Sequence, residues 1–502
     1  MKKIIIIGSG IGGIAVALRL QIQGLNTIIL EKRNKPGGCA YIYKKNGFIF
    51  DTGPTVITDP NSIKEILSFK NNKKFNIELL PVKPFYKIFW ECGKTFIYNN
   101  NKIDLEEQIK KFNFNDIFGY RRFLHYSDKV FSKFYLKYIN KSFLFKSNML
   151  YMLLKFKNLS FYNNIYNKIS NYIENKYLRQ VFSFHSLLIG GNPFQISAIY
   201  TLIHSLERKW GIWFPKGGIY TLIKVMIKLY KHLGGKIFLN SEVYKIKSIK
   251  NIIKKVYLTN GKQIKTDLLI SNSDVIHTYK KLLNTNLSSK IYGIYLSKKK
   301  ISNSLFIIYF ALKCNYNKLT QHSIFLGNNY KKIIYNLFNF KNLNNNFSIY
   351  LHSPCKIDNS LAPNGCESYY ALIPIPNLSI CNINWLIESH KIKYKILKYI
   401  EKYYMPNLTK NIIFSKIFTP FNFSNTLNTF YGSSFSLSPN ILQSALFRTH
   451  NKDKIIKNLY FVGSGTHPGA GIPGVLNSAK ITSEIIIKKL NKFKIYRNKD
   501  VK

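Results

Sequence analysis

Residues 3 to 31, KIIIIGSGIGGIAVALRLQIQGLNTIILE, constrain the fold more than any other stretch of this chain. Ile4 to Ile7 is an unbroken apolar run of the kind buried on both faces of a parallel sheet. Gly8, Gly10 and Gly13 follow in G-x-G-x-x-G spacing, then a helix predicted to about Gln23 and a second strand ending at Glu31. In such a unit Gly8 permits the tight turn, Gly10 lets a pyrophosphate approach the backbone, and Gly13 lets helix and strand pack closely. The helix N-terminus faces the phosphate charge, and Glu31 is placed to accept hydrogen bonds from an adenosine ribose.

NAD and FAD both fit that unit. The continuation EKRNKPGG adds basic residues and the pair Gly37-Gly38, a segment able to fold back over the same pyrophosphate, as the longer FAD molecule commonly needs. No second G-x-G-x-x-G opens a helix elsewhere, so one dinucleotide site is expected. That argues against disulfide reductases with two nucleotides, as does the lack of a C-x-x-C pair among Cys39, Cys92, Cys314, Cys355, Cys366 and Cys381. The cysteines read as reduced, mostly buried thiols, and no metal site is expected.

The chain's 502 residues are 46 % hydrophobic and 15 % aromatic, which excludes a disordered protein. Lysine and arginine number 75 against 23 acids, a formal charge of +52. The lysines are scattered among residues with A/T-rich codons, and there is no zinc-finger or aromatic RNA-binding signature. Biased coding therefore explains the charge better than a nucleic-acid partner does, and attraction to an acidic membrane surface is what remains of the charge argument. A strand starting within three residues of Met1 leaves no room for a secretory signal, and no run of about 18 uncharged apolar residues occurs. The expected location is cytoplasmic, with peripheral contact to the inner face of the cell membrane.

Further along, FPKGGIYTLIKVMIKLYKHLGG (214–235) reads as a glycine turn and an amphipathic helix with Leu222, Val225, Met226 and Leu229 on one stripe. The segment from 236 to 274 alternates like a β-hairpin around Asn260-Gly261, with Val243 and Ile246 as ordinary sheet residues. Near the end, NLYFVGSGTHPGAGIPGVLNSAK is strand, glycine-proline turn and helix, a second helix N-terminus that can meet the ribityl chain and flavin ring. The fold expected is α/β: a Rossmann-like FAD domain split over 1–84, 213–299 and 451–502. By elimination, 85–212 and 300–450 form a second, α+β substrate domain.

The chain resembles the bacterial phytoene desaturases of the carotenoid desaturase family, FAD enzymes of carotenoid biosynthesis. The resemblance spans nearly the whole chain and includes EKRNKPGGCAYIYKKNGFIFDTGPTVITDP, FSFHSLLIGGNPF, TLIHSLERKWGIWFPKGG, SNSLFIIYFAL, LAPNGCESYY, KIFTPFNF and GSGTHPGAGIPGV. It implies that Gly8, Gly10, Gly13 and Glu31 hold the ADP half of FAD, with Arg33 and Gly38 near the pyrophosphate. It also places Val243 at the adenine, Gly465, Gly474 and Val475 along the ribityl chain and flavin, and Pro54 and Thr55 near the ring. Two positions depart from the family pattern: Cys39 replaces an arginine, and Ser147-Asn148 stand where relatives can carry Arg-Asp.

The resemblance implies that 130–180 is a helical, membrane-facing part of the substrate domain, and that a polyene substrate, phytoene, is converted to lycopene in an apolar tunnel. An allylic hydride passes to the flavin while a neighbouring carbon loses a proton. Thr466 and His467 are the candidate catalytic side chains, although His467 also reads as a turn residue bonded to backbone. His185 reads as a satisfied core histidine. The segment Phe143–Phe161 has the mixed apolar and basic composition of an interfacial element, and equally that of a core helix whose lysines reach solvent. A homo-oligomer at the membrane is a further expectation. Three alternatives stay open: a carotenoid ketolase or isomerase, a flavin amine oxidase, which needs an aromatic cage for its amine, and a non-catalytic prenyl-binding escort protein, which does not use flavin.

Overall fold

The computed structural model describes residues 2–68, 75–142, 162–283, 287–339, 347–381, 383–444 and 447–499. The segment Phe143–Phe161, with Ser147 and Asn148, lies outside them. A five-stranded parallel sheet runs in the order Leu459–Phe461, Leu268–Ser271, Lys3–Ile7, Asn26–Leu30, Lys236–Phe238. The isoleucine run sits at its centre because both faces are covered. Ile4 and Ile6 join one core with Ile14 and Leu18 of helix Ile11–Ile22, while Ile5 and Ile7 join another with Val243, Ile246 and Val256. Helix Ile11–Ile22 packs against Ile219–His232 and the terminal helix Ile472–Lys499. Leu222, Met226 and Leu229 are buried as the stripe predicts, and Val225 is half-buried.

The chain leaves strand Lys3–Ile7 toward Asn26–Leu30 on one side and meets Leu268–Ser271 on the other. This reversal opens a crevice at the carboxyl ends of the strands, where ligands of such sheets bind. On the sheet's second face lies a three-stranded meander, Val243–Ile249, Ile252–Leu258 and Gln263–Lys265. The expected Asn260-Gly261 turn joins its last two strands, with Gly261 at φ 81. An additional turn at Lys250 (φ 47) and Asn251 (φ 58) makes three strands of the expected hairpin.

A seven-stranded sheet draws on both remaining blocks, in the order Ile412–Phe418, Ser304–Leu312, Glu367–Ile375, Ile349–His352, His322–Leu326, Tyr86–Trp90, Thr95–Tyr98. Its outer face packs Phe306, Phe310 and Phe325 against Ile396 and Ile400 of helix Trp385–Tyr403. Its inner face presents Ile307, Tyr350, Tyr370 and Leu372 to the central cavity. Helix Leu202–Trp210 forms part of the opposite wall. Among the described residues, no helix is long and apolar enough to cross a membrane.

All six cysteines are free, but the reading of them as mostly buried fails: only Cys355 and Cys381 are buried, and Cys39 and Cys92 are exposed. Cys39 owes its exposure to the cavity it lines.

Candidate active site

Gly8 closes the first strand at φ 90 and donates its amide to the Leu30 carbonyl at 2.8 Å. A Cβ on Gly13 would lie 2.1 Å from the Gly8 carbonyl oxygen, so the helix can approach the turn only without a side chain there. Glu31 is buried, and its Oε2 accepts from the Ser9 amide at 2.8 Å and the Ser9 hydroxyl at 2.6 Å. Its Oε1 accepts from the Arg33 amide at 2.9 Å.

The second glycine pair folds back onto the first turn. The Gly37 amide donates to the Ser9 carbonyl at 2.9 Å, forming a bridge between Gly10 and Gly37. Arg33 donates from Nη1 to the Gly38 carbonyl at 3.1 Å and lies 3.4 Å above the Tyr41 ring, which fixes a cation beside the turn. Cys39 is open to the cavity but enclosed by protein; burial pushes its thiol up against the lowering field of Arg33.

From the other end of the chain, strand Leu459–Phe461 delivers a turn of Gly463, Gly465, Gly469 and Gly471 ahead of helix Ile472–Lys499. A Cβ on Gly474 would lie 2.6 Å from the Gly469 carbonyl oxygen, and one on Gly465 would lie 2.7 Å from Ser436 Oγ. These contacts allow the backbone itself to form the cavity wall.

One cavity of about 590 Å³ collects Gly8, Gly10, Glu31, Arg33, Gly38, Pro54, Thr55, Val243, Gly465, Gly474 and Val475, together with His467. Gly13 packs behind it, consistent with its steric role. The two catalytic candidates separate: His467 lines the cavity, whereas buried Thr466 lies off it, bridged to Thr449. The His467 backbone is tied down on both sides, its amide donating to Thr449 O at 2.9 Å and its carbonyl accepting from Asn451 at 3.1 Å.

Away from the glycine turns the cavity continues into an apolar half that includes Phe184, Leu187, Ile203, Leu206, Leu305 and Ile307. Polar side chains mark the junction. Thr55 Oγ1 shares a 2.7 Å hydrogen bond with the Tyr350 hydroxyl, which shares another of 2.7 Å with His322 Nδ1. Tyr370 donates to the Gly53 carbonyl at 3.2 Å. His185 is buried and satisfied by Glu207 at 2.9 Å, as read from the sequence, but it also lines the cavity.

Three features escaped the sequence reading. Asn272 lies across the glycine turn, its side-chain nitrogen 2.9 Å from a Cβ on Gly10 and its oxygen 2.7 Å from one on Gly12. Arg448 is buried at the terminal turn, donating to the carbonyls of Ser464 and of Leu437, with no acidic partner among the described residues. Glu207 was legible only inside a quoted motif. None of the three carries a local pattern, because each acts through partners distant in sequence.

The family model for flavin containing amine oxidoreductase matches residues 11–487. The chain belongs to the flavin-containing amine oxidoreductase family. Flavin-containing amine oxidoreductases carry FAD, and the residues here fit it: a glycine turn opening a helix, a fixed carboxylate at the next strand end, and a second helix entry built of glycines. Within the family, the chain is 48% identical over 491 residues to a lycopene-forming phytoene desaturase of Pantoea ananas, covering 98% of this chain and 100% of that one. It is 47% identical over 491 residues to the lycopene-forming phytoene desaturase of Pseudescherichia vulneris, with the same coverage. The solved structure of an oxidoreductase from Methanosarcina mazei shares the fold, with a TM-score of 0.64 at 14% identity over 96% of this chain and 100% of that one.

Proposed function

We propose that this protein is an FAD-dependent phytoene desaturase that forms lycopene. The carrying observation is the continuity of the cavity: the glycine turns and the apolar side chains line one and the same space. The identity to lycopene-forming desaturases over 98% of the chain supports the same reading. A hydrocarbon offers no polar handle, so its recognition depends on shape and apolar lining.

When bound, FAD supplies the two-electron acceptor for an allylic hydride. The chain's part is to hold and desolvate. Glu31, Arg33, Gly38 and Val243 would hold the ADP half, and Pro54, Thr55, Gly465, Gly474 and Val475 would border the flavin. Leu187, Ile203, Leu206 and Ile307 would orient the polyene and exclude water. The half-buried Tyr200, bonded to Ser444 at 3.2 Å, stands near the exposed Leu442 (72%) and Phe447 (44%). These exposed apolar side chains on so basic a protein support docking on the inner face of the cell membrane, from which the substrate would enter.

The test is expression in a phytoene-accumulating host with pigment analysis. Red lycopene supports the reading; unchanged phytoene beside a folded, yellow protein overturns it.

A further inference from the structure

Among the described residues, the cavity wall carries carboxylates at Glu31, Glu207, Glu242 and Asp274. Three belong to the nucleotide half: Glu31 on Ser9, Glu242 at 3.6 Å from Lys32, and Asp274 accepting from Ser436 at 2.9 Å. Glu207 stands on the apolar half, next to Leu206 on helix Leu202–Trp210, and is 1% exposed. A buried carboxylate is costly unless fully bonded, and a tunnel that only had to bind hydrocarbon would gain nothing from one.

Glu207 is held by two side chains that line the same cavity. The Tyr86 hydroxyl donates to Oε1 at 2.8 Å, and His185 Nε2 donates to Oε2 at 2.9 Å. Phe184 stacks on His185 with ring centroids 4.1 Å apart and meets Tyr86 edge-on at 5.2 Å. Burial first, then the neighbouring Glu207 charge, pushes the Tyr86 phenol well up, which keeps it a donor. The other titratable groups around the dyad are Tyr98, pushed up by burial and then by Glu207, and His204 with Arg208 behind it. The cluster lies at the junction of the two halves: the Tyr86 ring is 5.8 Å from His322, whose Nδ1 bonds Tyr350, the partner of Thr55.

We propose that Glu207 is the proton acceptor of the desaturation, held toward the substrate by Tyr86 and His185; the proposal rests on the desaturase reading above. One allylic C–H bond breaks with both electrons leaving as hydride to FAD. The C–H bond on the adjacent carbon breaks, its electron pair becomes the new C=C bond, and its proton bonds to a Glu207 carboxylate oxygen.

Anaerobic single-turnover reduction of the FAD-loaded protein by phytoene in liposomes tests this, with parent and variants run side by side over a pH series. Glu207→Gln should keep FAD content and melting temperature yet slow reduction by about 100-fold or more, the size expected for loss of a positioned base. The infrared difference spectrum of the parent should show a protonated carboxyl band after turnover that Glu207→Gln lacks. Tyr86→Phe removes a donor to the carboxylate and should move the acid limb of the pH profile upward. This second variant decides the matter should Glu207→Gln not fold. Reduction of Glu207→Gln within about threefold of the parent, or an unmoved limb in Tyr86→Phe, overturns the proposal while leaving the desaturase reading intact. A parent that phytoene does not reduce overturns both.

Discussion

Glu31 takes both the backbone amide and the hydroxyl of Ser9 onto one carboxylate oxygen, at 2.8 and 2.6 Å. The end of the second strand is thereby tied to the glycine turn after the first, 22 positions earlier. The carboxylate proposed to meet the ribose is thus oriented by the protein's own groups.

Ser9→Ala should therefore weaken FAD binding without unfolding the protein. A hydrogen bond to a charged group contributes about 1.5–3 kcal/mol, so the dissociation constant in a fluorescence titration should rise about tenfold or more. An unchanged constant would mean that Glu31 does not meet the ribose.

Gly13→Ala should act on stability first, since its Cβ would fall 2.1 Å from the Gly8 carbonyl, a backbone atom that cannot swing aside. Overpacking of this kind costs about 1–3 kcal/mol. Urea denaturation should show that loss even in the apoprotein.

Asp51 caps helix Ile219–His232, accepting from the Ile219 amide at 2.8 Å and the Tyr220 amide at 3.2 Å. Burial, assisted by Asp358 and opposed by those two amides, pushes its carboxyl from 3.8 up to about 6. The folded state then binds this proton more tightly than the unfolded state, so its stabilisation is complete below the unfolded value and lost as pH rises through the folded one. Between pH 5 and 7.5, by urea midpoints, the parent should lose about 1 kcal/mol that Asp51→Asn retains.

His322 carries the opposite sign. Burial pushes it from 6.5 down to about 3, and its buried neighbour His352, 5.3 Å away between ring centroids, is pushed down by burial and then by His322. A folded value below the unfolded one means stabilisation complete above about pH 6.5 and lost as pH falls toward 3. His322→Gln, which keeps an acceptor for Tyr350, should remove about 2 kcal/mol of the stability change between pH 7.5 and 5. Acid unfolding identical to the parent's would show that the ring is not held neutral.

Ile203 borders the apolar half and is only half-buried, leaving room for a larger side chain to project into the cavity. Ile203→Trp should leave FAD content unchanged while cutting pigment yield about tenfold or shifting it to shorter chromophores, read by chromatography. Full lycopene output would place the polyene elsewhere.

Much of the site was legible because its constraints are local. A buried isoleucine run, glycines at fixed spacing and an acid at the next strand end all speak through neighbouring residues, and Gly37-Gly38 returned to the first turn as the EKRNKPGG segment led one to expect. The Lys250-Asn251 turn was missed because Lys250 gives no sign of a left-handed backbone, although Asn251 is of a type that tolerates one. Thr466 and His467 were adjacent candidates in the sequence, and only the fold put His467 on the cavity and left Thr466 buried off it.

From the sequence alone came the nucleotide-binding unit and the second glycine-lined helix entry, since backbone sterics and hydrophobic periodicity are settled within a few residues. Tertiary structure alone decided that Tyr86 and Glu207, 121 positions apart, would share a hydrogen bond in the tunnel wall, and that Asn272 would lie across the glycine turn. Such pairings form only when separate segments bury one another, because a polar group withdrawn from water must find its partner wherever the fold brings one within reach.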